Sequence, residues 1–230
     1  MRAATALLVA VALLGTLASA PTLASAEWFV DFYAGAASTA DADVSASDRF
    51  CSGFFCSPAS TASREVQFDS SFTVGGRVGH WFEPIPWLGV AFDVSYFQAN
   101  GEDVEITVVP LSLLLMLRWP LLATPDFPRG RLQPYIGIGP GAFITDVSVD
   151  FRPTLPNALS ITDVEAGFDA RAGLAWQFHR RFAVFGEYRF TYVDAEVTEG
   201  PPELFGSGSE SRVQTTLETH HFLVGVSVRF

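Results

Sequence analysis

The stretch Asp163–Phe178, DVEAGFDARAGLAWQF, alternates between two kinds of side chain over sixteen residues. The even-numbered positions are all apolar, and they are Val164, Ala166, Phe168, Ala170, Ala172, Leu174, Trp176 and Phe178. The odd-numbered positions carry polar and small residues, and such a period of two predicts a β-strand with one apolar and one polar face. Strands of soluble proteins usually span about 5–6 residues, whereas a tilted strand that crosses a bilayer needs about 9–11. The length of the alternation therefore predicts a membrane-spanning strand.

Stretches of similar length and pattern recur along the chain. The predicted strands are Trp28–Ser38, Gln67–Phe82, Trp87–Gln98, Val104–Trp119, Gln133–Val149, Asp163–Phe178, Phe182–Val197 and Thr215–Phe230. Short links at residues 83–86 and 179–181 alternate with longer links rich in Ser, Asp, Gly and Pro, although Pro120–Leu132 is long for a periplasmic turn. Alternating short periplasmic turns and long outer loops are typical of outer-membrane barrels. The sequence therefore predicts an all-β fold, an eight-stranded antiparallel up-and-down transmembrane β-barrel.

The first 26 residues have the pattern of a secretory signal peptide. Arg2 supplies the positive start, residues 6–17 supply an apolar segment, and Ala24-Ser25-Ala26 supplies a small-x-small cleavage site. We expect cleavage after Ala26. The predicted domains are therefore a signal peptide over residues 1–26 and an exported barrel domain over residues 27–230.

Composition narrows the classes of partner. The net charge is −11, and every basic residue is an arginine. An acidic chain without basic runs does not favour binding to nucleic acid, because phosphate binding needs clustered positive charge. The acidic segment Asp41–Ser45 lacks the further ligands that a calcium loop needs, and the segment Cys51–Cys56 lacks the further ligands that zinc needs. The sequence therefore predicts neither a metal site nor a cofactor.

Ten ionisable residues fall on the strand face that should point into the lumen. They are Asp31, Arg77, Asp93, Arg118, Glu165, Asp169, Arg171, Glu187, Arg189 and Arg229, five acids and five arginines. A buried charge needs an opposite partner, and the planar arginine fork pairs well with carboxylates. Eight strands enclose a space that side chains can fill. These residues are predicted to form a charge network that plugs the lumen, and a gated ion path is the alternative.

Two cysteines, Cys51 and Cys56, lie in the predicted first outer loop, residues 39–66. In an exported protein such a pair favours a disulfide that closes a small loop. The same segment carries Phe50, Phe54 and Phe55, and exposed aromatic residues on a tethered loop are suitable contact points for a partner. The segment is therefore a candidate site for a surface ligand.

Two residues of the last predicted strand are candidate catalytic groups. His220 and Glu218 share the predicted lipid-facing side of the last strand and are the pairing that fits a lipid A-modifying hydrolase. A serine nucleophile motif such as Gly-x-Ser-x-Gly does not accompany them. We therefore expect the protein not to be an enzyme.

The C-terminal segment Leu223–Phe230, LVGVSVRF, combines Gly225, alternating apolar residues that include Val228, and a terminal Phe230. It resembles the assembly signal of bacterial outer-membrane proteins. The segments FGEYRFT at residues 185–191 and QPYIGIG at residues 133–139 resemble strand motifs of small OmpA/OmpX-like barrels of the porin family. The resemblance implies a location in the bacterial outer membrane, contact with its lipid and lipopolysaccharide, and insertion by the outer-membrane assembly machinery.

These features predict an integral outer-membrane barrel with a structural or surface-interaction, adhesin-like role. A small-solute porin is the first alternative. A lipid A-modifying outer-membrane hydrolase is the second.

Overall fold

The computed structural model describes residues 27–52, 55–58, 60–101, 104–149, 159–199 and 207–230. The predicted signal segment, residues 1–26, lies outside them. No helix in the described residues is long and apolar enough to cross a membrane. The strands of the described residues are β1 (Glu27–Thr39), β2 (Ala42–Ser52), β3 (Phe55–Cys56), β4 (Ser60–Val66), β5 (Phe68–Asp69), β6 (Ser71–Trp81), β7 (Leu88–Gly101), β8 (Val104–Arg118), β9 (Leu132–Val149), β10 (Leu159–His179), β11 (Phe182–Glu199) and β12 (Ser207–Arg229).

Eight of these strands form a closed barrel. Strand β1 pairs antiparallel with β6, and the pairing continues in order through β7, β8, β9, β10, β11 and β12. Strand β12 then pairs antiparallel with β1, from Phe29 opposite Arg229 to Thr39 opposite Thr219. This last pairing leaves the barrel without a free edge, as membrane-spanning sheets require. The predicted eight-stranded antiparallel barrel is confirmed.

The outer face of the barrel wall is apolar and the inner face is largely polar, which is the reverse of a soluble barrel. Along β12 the side chains of Phe222 and Val224 are 65% and 70% exposed, while Leu223 and Ser227 are buried inside. The same alternation places the apolar face of Asp163–Phe178 outward and its polar face inward. A continuous apolar surface of this kind is unfavourable in water, but it matches the hydrocarbon of a bilayer.

The short links and the two described chain ends lie together at one end of the barrel. Residues 82–87 and 180–181 are short, and residues 119–131 form a longer but ordered link with bridges between Leu121 and Leu132 and between Thr124 and Phe127. Outer-membrane barrels place their short turns in the periplasm. We therefore call this the periplasmic end.

The outer end differs from the sequence-based expectation. Residues 39–66 were expected to be a loop, and that prediction is wrong, because they contain β2, β3 and β4. Strand β2 pairs with β12 from Ser45 opposite Gln214 to Ser52 opposite Ser207, and β4 pairs with the other edge of β2. A composition rich in Ser and Asp indicates exposure to solvent, but it does not prevent a strand whose backbone is held by its neighbours. We call β2–β4 and the first half of β12 the outer extension.

Candidate functional site: the filled lumen

The centre of the lumen holds Arg171, whose guanidinium contacts three carboxylates. Its Nη2 lies 2.7 Å from Asp93 Oδ1 and 2.8 Å from Asp169 Oδ2, and its Nη1 lies 3.3 Å from Glu187 Oε1. All four side chains are fully buried. They meet because β7, β10 and β11 each turn their odd-numbered positions inward, and the closed barrel brings those faces together.

Arg189 extends this arrangement from β11. Its Nη1 donates a 2.6 Å hydrogen bond to Ser95 Oγ. Its Nη2 lies 2.8 Å from Asp169 Oδ2. These two groups form an ion pair, but Nη2 makes no hydrogen bond. Ser112 Oγ donates to the same carboxylate oxygen at 2.8 Å. Asp169 is therefore held by two arginines and a hydroxyl.

Arg77 connects the centre to the first strand. Its Nε donates to Asp31 Oδ2 and its Nη1 to Glu187 Oε2, both at 2.8 Å. The hydroxyl of Tyr135 donates to the same oxygen of Glu187 at 2.7 Å. We call the central cluster the seven buried residues Asp31, Arg77, Asp93, Asp169, Arg171, Glu187 and Arg189.

A second cluster closes the periplasmic mouth around Glu27. Glu27 Oε2 lies 2.7 Å from Arg118 Nη2 and 3.1 Å from Arg129 Nη1, and Glu27 Oε1 lies 3.2 Å from Arg229 Nη1. Arg229 also donates to Gln133 Oε1 at 2.8 Å. One carboxylate here ties β1 to β8, to β12 and to the link at residues 119–131.

Apolar layers complete the filling. One buried cluster, toward the periplasmic end, comprises Phe29, Tyr33, Trp81, Ala91, Leu114, Met116, Tyr135, Ala175, Phe185 and Leu223. Another lies toward the outer end and comprises Ala37, Phe97, Ala99, Ile106, Val108, Phe143, Val193 and Leu217. A cavity of about 20 Å³ remains between the central and periplasmic clusters, which is room for about one water molecule. Over the part of the lumen whose side chains the structure describes, apolar and ion-paired side chains therefore fill the interior.

The structure places nine of the ten predicted lumen residues in these two clusters, each at most 7% exposed. Glu165 is only half-buried and stands opposite Phe143, level with the outer apolar layer, so it lies outside both clusters. Glu27 is instead the fifth acidic residue of the two clusters. Sequence reasoning missed it because the first strand was expected to start at Trp28, although its odd number would have assigned it inward.

For the two cysteines, the structure describes only the backbone. Cys51 and Cys56 stand directly opposite each other where β2 pairs with β3. Opposite residues of antiparallel strands have Cα atoms about 4.5–5.5 Å apart, a spacing that a disulfide can bridge. Their side chains lie outside the described part of the molecule, as do those of the three phenylalanines singled out for the first loop. The disulfide stays a prediction.

The two histidines of β12 face opposite sides of the wall. His220 faces outward, where its Nδ1 lies 2.7 Å from Tyr188 Oη and its ring contacts Phe190. Glu218 is exposed on the same face. His221 is buried, with Nε2 3.2 Å from Thr191 Oγ1. In the described residues, no group of three or more His, Cys, Asp and Glu side chains is arranged to hold a metal ion.

The residues of the C-terminal motif have distinct places. Gly225 faces the lumen, and a Cβ atom added there would lie 2.5 Å from both Phe185 Cζ and the carbonyl oxygen of Phe32. Phe230 is exposed at the periplasmic end, and Val228 is half-buried. Close packing therefore explains the glycine, while recognition of the motif by assembly machinery stays a prediction.

The barrel geometry agrees with a comparison against protein families. The model of the outer membrane protein beta-barrel domain matches residues 10–230. The chain belongs to this family. Membership places it in the bacterial outer membrane. A comparison with curated protein sequences gave no match.

Solved structures of small outer-membrane barrels are similar to this chain in fold. The outer membrane protein OprG of Pseudomonas aeruginosa has 12% sequence identity and a TM-score of 0.55, over 90% of this chain and 96% of that one. Neisserial surface protein A has 13% identity and a TM-score of 0.45, over 88% and 97% of the two chains. The N-terminal barrel domain of OprF from Pseudomonas aeruginosa has 12% identity and a TM-score of 0.41, over 90% and 100%. At these identities the likeness to OprG supports the fold alone.

Proposed function

We propose that the protein is a closed, non-enzymatic outer-membrane barrel whose work is done at its outer surface. The filled lumen carries this proposal. Arg171 and the three carboxylates that it contacts are fully buried, and an apolar layer covers them toward the outside. An ion would have to break several paired contacts in a medium of low dielectric constant to pass.

Planar-bilayer recording tests the closed state against the porin alternative. We expect the folded protein to give no ohmic current steps, because the described lumen side chains form layers of paired charges and packed apolar groups. A general porin inserted in the same bilayer provides the positive control. Reproducible steps that require the folded protein would contradict the proposal and favour the porin.

The outer extension supports the surface role. Strand β12 has 23 residues, and β10 has 21, whereas the hydrocarbon layer takes about 9–11 residues of a tilted strand. About half of β12 therefore stands outside the membrane, where it pairs with β2. This makes a sheet-based platform, which holds contact residues with less loss of conformational entropy than a free loop.

The charge of this platform favours a basic partner. Residues 39–66 contain four acids and two arginines, and residues 196–212 contain four acids and one arginine. We propose that the surface ligand is a cationic protein or peptide segment. Electrostatic attraction of this kind speeds association and weakens as salt increases.

Replacement of residues 43–65 by a short Gly-Ser turn tests the platform. We expect the variant to lose binding to a lysine-rich peptide, measured by surface plasmon resonance on protein held in nanodiscs. Its heat-modified mobility on gels should stay that of a folded barrel, since the eight barrel strands remain. Unchanged peptide binding, or binding equal to that of a glutamate-rich peptide of the same length, would contradict the proposal.

The location in the outer membrane suggests two further kinds of partner, the assembly machinery and the surrounding lipids. We propose that the outer-membrane assembly machinery recognises β12 through Gly225, Val228 and Phe230. The exposed apolar face should contact phospholipid on the periplasmic side and lipopolysaccharide on the outer side. The outward His220 forms part of an aromatic belt with Tyr188 and Phe222, which is a common arrangement at a membrane interface.

A further inference from the structure

The link at residues 119–131 is longer than the other two links of the periplasmic end, and it is ordered. Its backbone is closed by hydrogen bonds such as Leu121 N to Leu132 O at 2.8 Å. It is also joined to the β10–β11 turn, because Gln177 N donates to Arg131 O at 2.8 Å and Arg180 Nη2 lies 2.9 Å from Asp126 Oδ1. Together these two segments form one continuous surface.

Apolar side chains stand out from this surface. Trp119, Leu121 and Leu122 are all exposed, the last of them to 59%. Leu122 has a φ of 54°, in the left-handed region that residues other than glycine seldom occupy. The hydrogen bonds of the link hold the backbone there, and the side chain of Leu122 stays exposed.

Arginines lie beside these apolar side chains. The Arg131 guanidinium stacks over the rings of Phe127 and Trp176, with Cζ 5.1 and 5.2 Å from their centroids. Its Nε is buried and has no hydrogen-bond partner in the structure. Arg180 and Arg181 are exposed in the β10–β11 turn, which the Gln177 N to Arg131 O hydrogen bond joins to this link. We call Arg131, Arg180 and Arg181 the basic rim.

The basic rim occupies one side of the periplasmic end. The β6–β7 link, residues 82–87, contains Glu83 and no arginine. Trp176 and Phe182 mark the membrane boundary directly beside the rim, since both are exposed on the lipid-facing side of the wall. Residues 119–131 and 179–181 carry four arginines against the one carboxylate of Asp126, so positive charge is in excess where lipid headgroups would meet the protein.

We propose that the basic rim binds the phosphate headgroup of an anionic phospholipid in the periplasmic leaflet. Arginine forks bind phosphate oxygens with two parallel hydrogen bonds, and the stacked Arg131 is already held in one orientation. Leu121, Leu122 and Trp119 would contact the adjoining acyl chains. A soluble acidic protein would not explain why these apolar side chains border the arginines at the level of the membrane.

Tryptophan quenching by brominated lipids tests this proposal, because Trp119 and Trp176 flank the rim. The protein is reconstituted in phosphatidylcholine with either brominated phosphatidylglycerol or brominated phosphatidylcholine, and the relative association constant is measured. Each arginine near an anionic surface contributes about fivefold to association. We expect the wild-type protein to prefer phosphatidylglycerol by at least about fivefold, and Arg131→Gln/Arg181→Gln to lose that preference.

Arg64→Gln, on β4 at the opposite end of the barrel, is the matched control and should keep the preference. Heat-modified gel mobility should show that both variants fold, since neither changes a residue of the lumen clusters. Equal quenching by the two lipids in the wild-type protein would overturn the proposal, and so would an undiminished preference in the double variant. A preference that added inorganic phosphate abolishes would assign the rim to a free anion and would also overturn it. None of these outcomes bears on whether the lumen conducts.

Discussion

Arg171→Met should lower the free energy of unfolding of the barrel by about 3–5 kcal/mol. The substitution keeps most of the volume of the side chain but leaves Asp93, Asp169 and Glu187 without the cation that contacts all three. Loss of one partner from a buried ion pair costs more than the pair contributes, because the remaining charge is desolvated and unpaired. Urea unfolding in phospholipid vesicles, followed by tryptophan fluorescence, measures the change.

Arg180→Gln provides the matched control for this prediction. Arg180 also pairs with a carboxylate, that of Asp126, but both side chains are 73% exposed. An exposed pair of this kind stabilises by about 0–1 kcal/mol, so the variant should unfold almost like the wild-type protein. Adding Asp93→Asn to Arg171→Met should restore part of the lost stability, because Asp93 loses its closest arginine in that variant. Equal stability of Arg171→Met and the wild-type protein would show that the central cluster does not hold the barrel together.

Gly173→Val should destabilise the barrel by about 3 kcal/mol through overpacking. Gly173 faces the lumen, and the ring of Tyr135 lies across it, so an added Cβ would lie 2.5 Å from the tyrosine oxygen. That ring cannot move freely, because its hydroxyl donates to Glu187 in the central cluster. The same urea titration, together with the temperature at which gel mobility changes, measures the effect.

Gly186→Val is the matched substitution on the neighbouring strand. Gly186 faces the lipid, and nothing lies within 4 Å of an added Cβ. This variant should be neutral or slightly more stable, because valine favours strands and adds apolar surface toward the bilayer. Tyr135→Ala should reduce the cost of Gly173→Val in the double variant. If both glycine variants were equally stable, the packing of Tyr135 against Gly173 would not matter to the fold.

Much of the lumen could be predicted from the sequence because a strand has a period of two. Once the membrane-spanning length of Asp163–Phe178 indicates that the apolar face is outward, the odd positions must point inward. The buried positions of Asp169, Arg171, Glu187 and Arg189 follow from that single rule. It needs no knowledge of which strands are neighbours.

The partners of these residues could not be predicted in the same way. Arg77 donates to Asp31 because β1 and β6 are adjacent at one register, and to Glu187 because the lumen is narrow enough for a contact with β11. Tyr33 and Tyr135 join the network through their hydroxyl groups, which donate to Asp93 and Glu187. A ring fits inside where a glycine on a neighbouring strand leaves room, and that match depends on register.

The alternation in Asp163–Phe178 and its repetition along the chain were sufficient to determine an outer-membrane barrel with a charged interior, because side-chain direction and span length are local properties of a strand. The tertiary structure decided which charges pair, that Glu27 rather than Glu165 supplies the fifth buried acid, and that β2 within residues 39–66 pairs with β12. Those outcomes depend on register, on strand neighbours and on distances across the lumen. They arise only when the closing pair of β1 and β12 brings distant parts of the chain together.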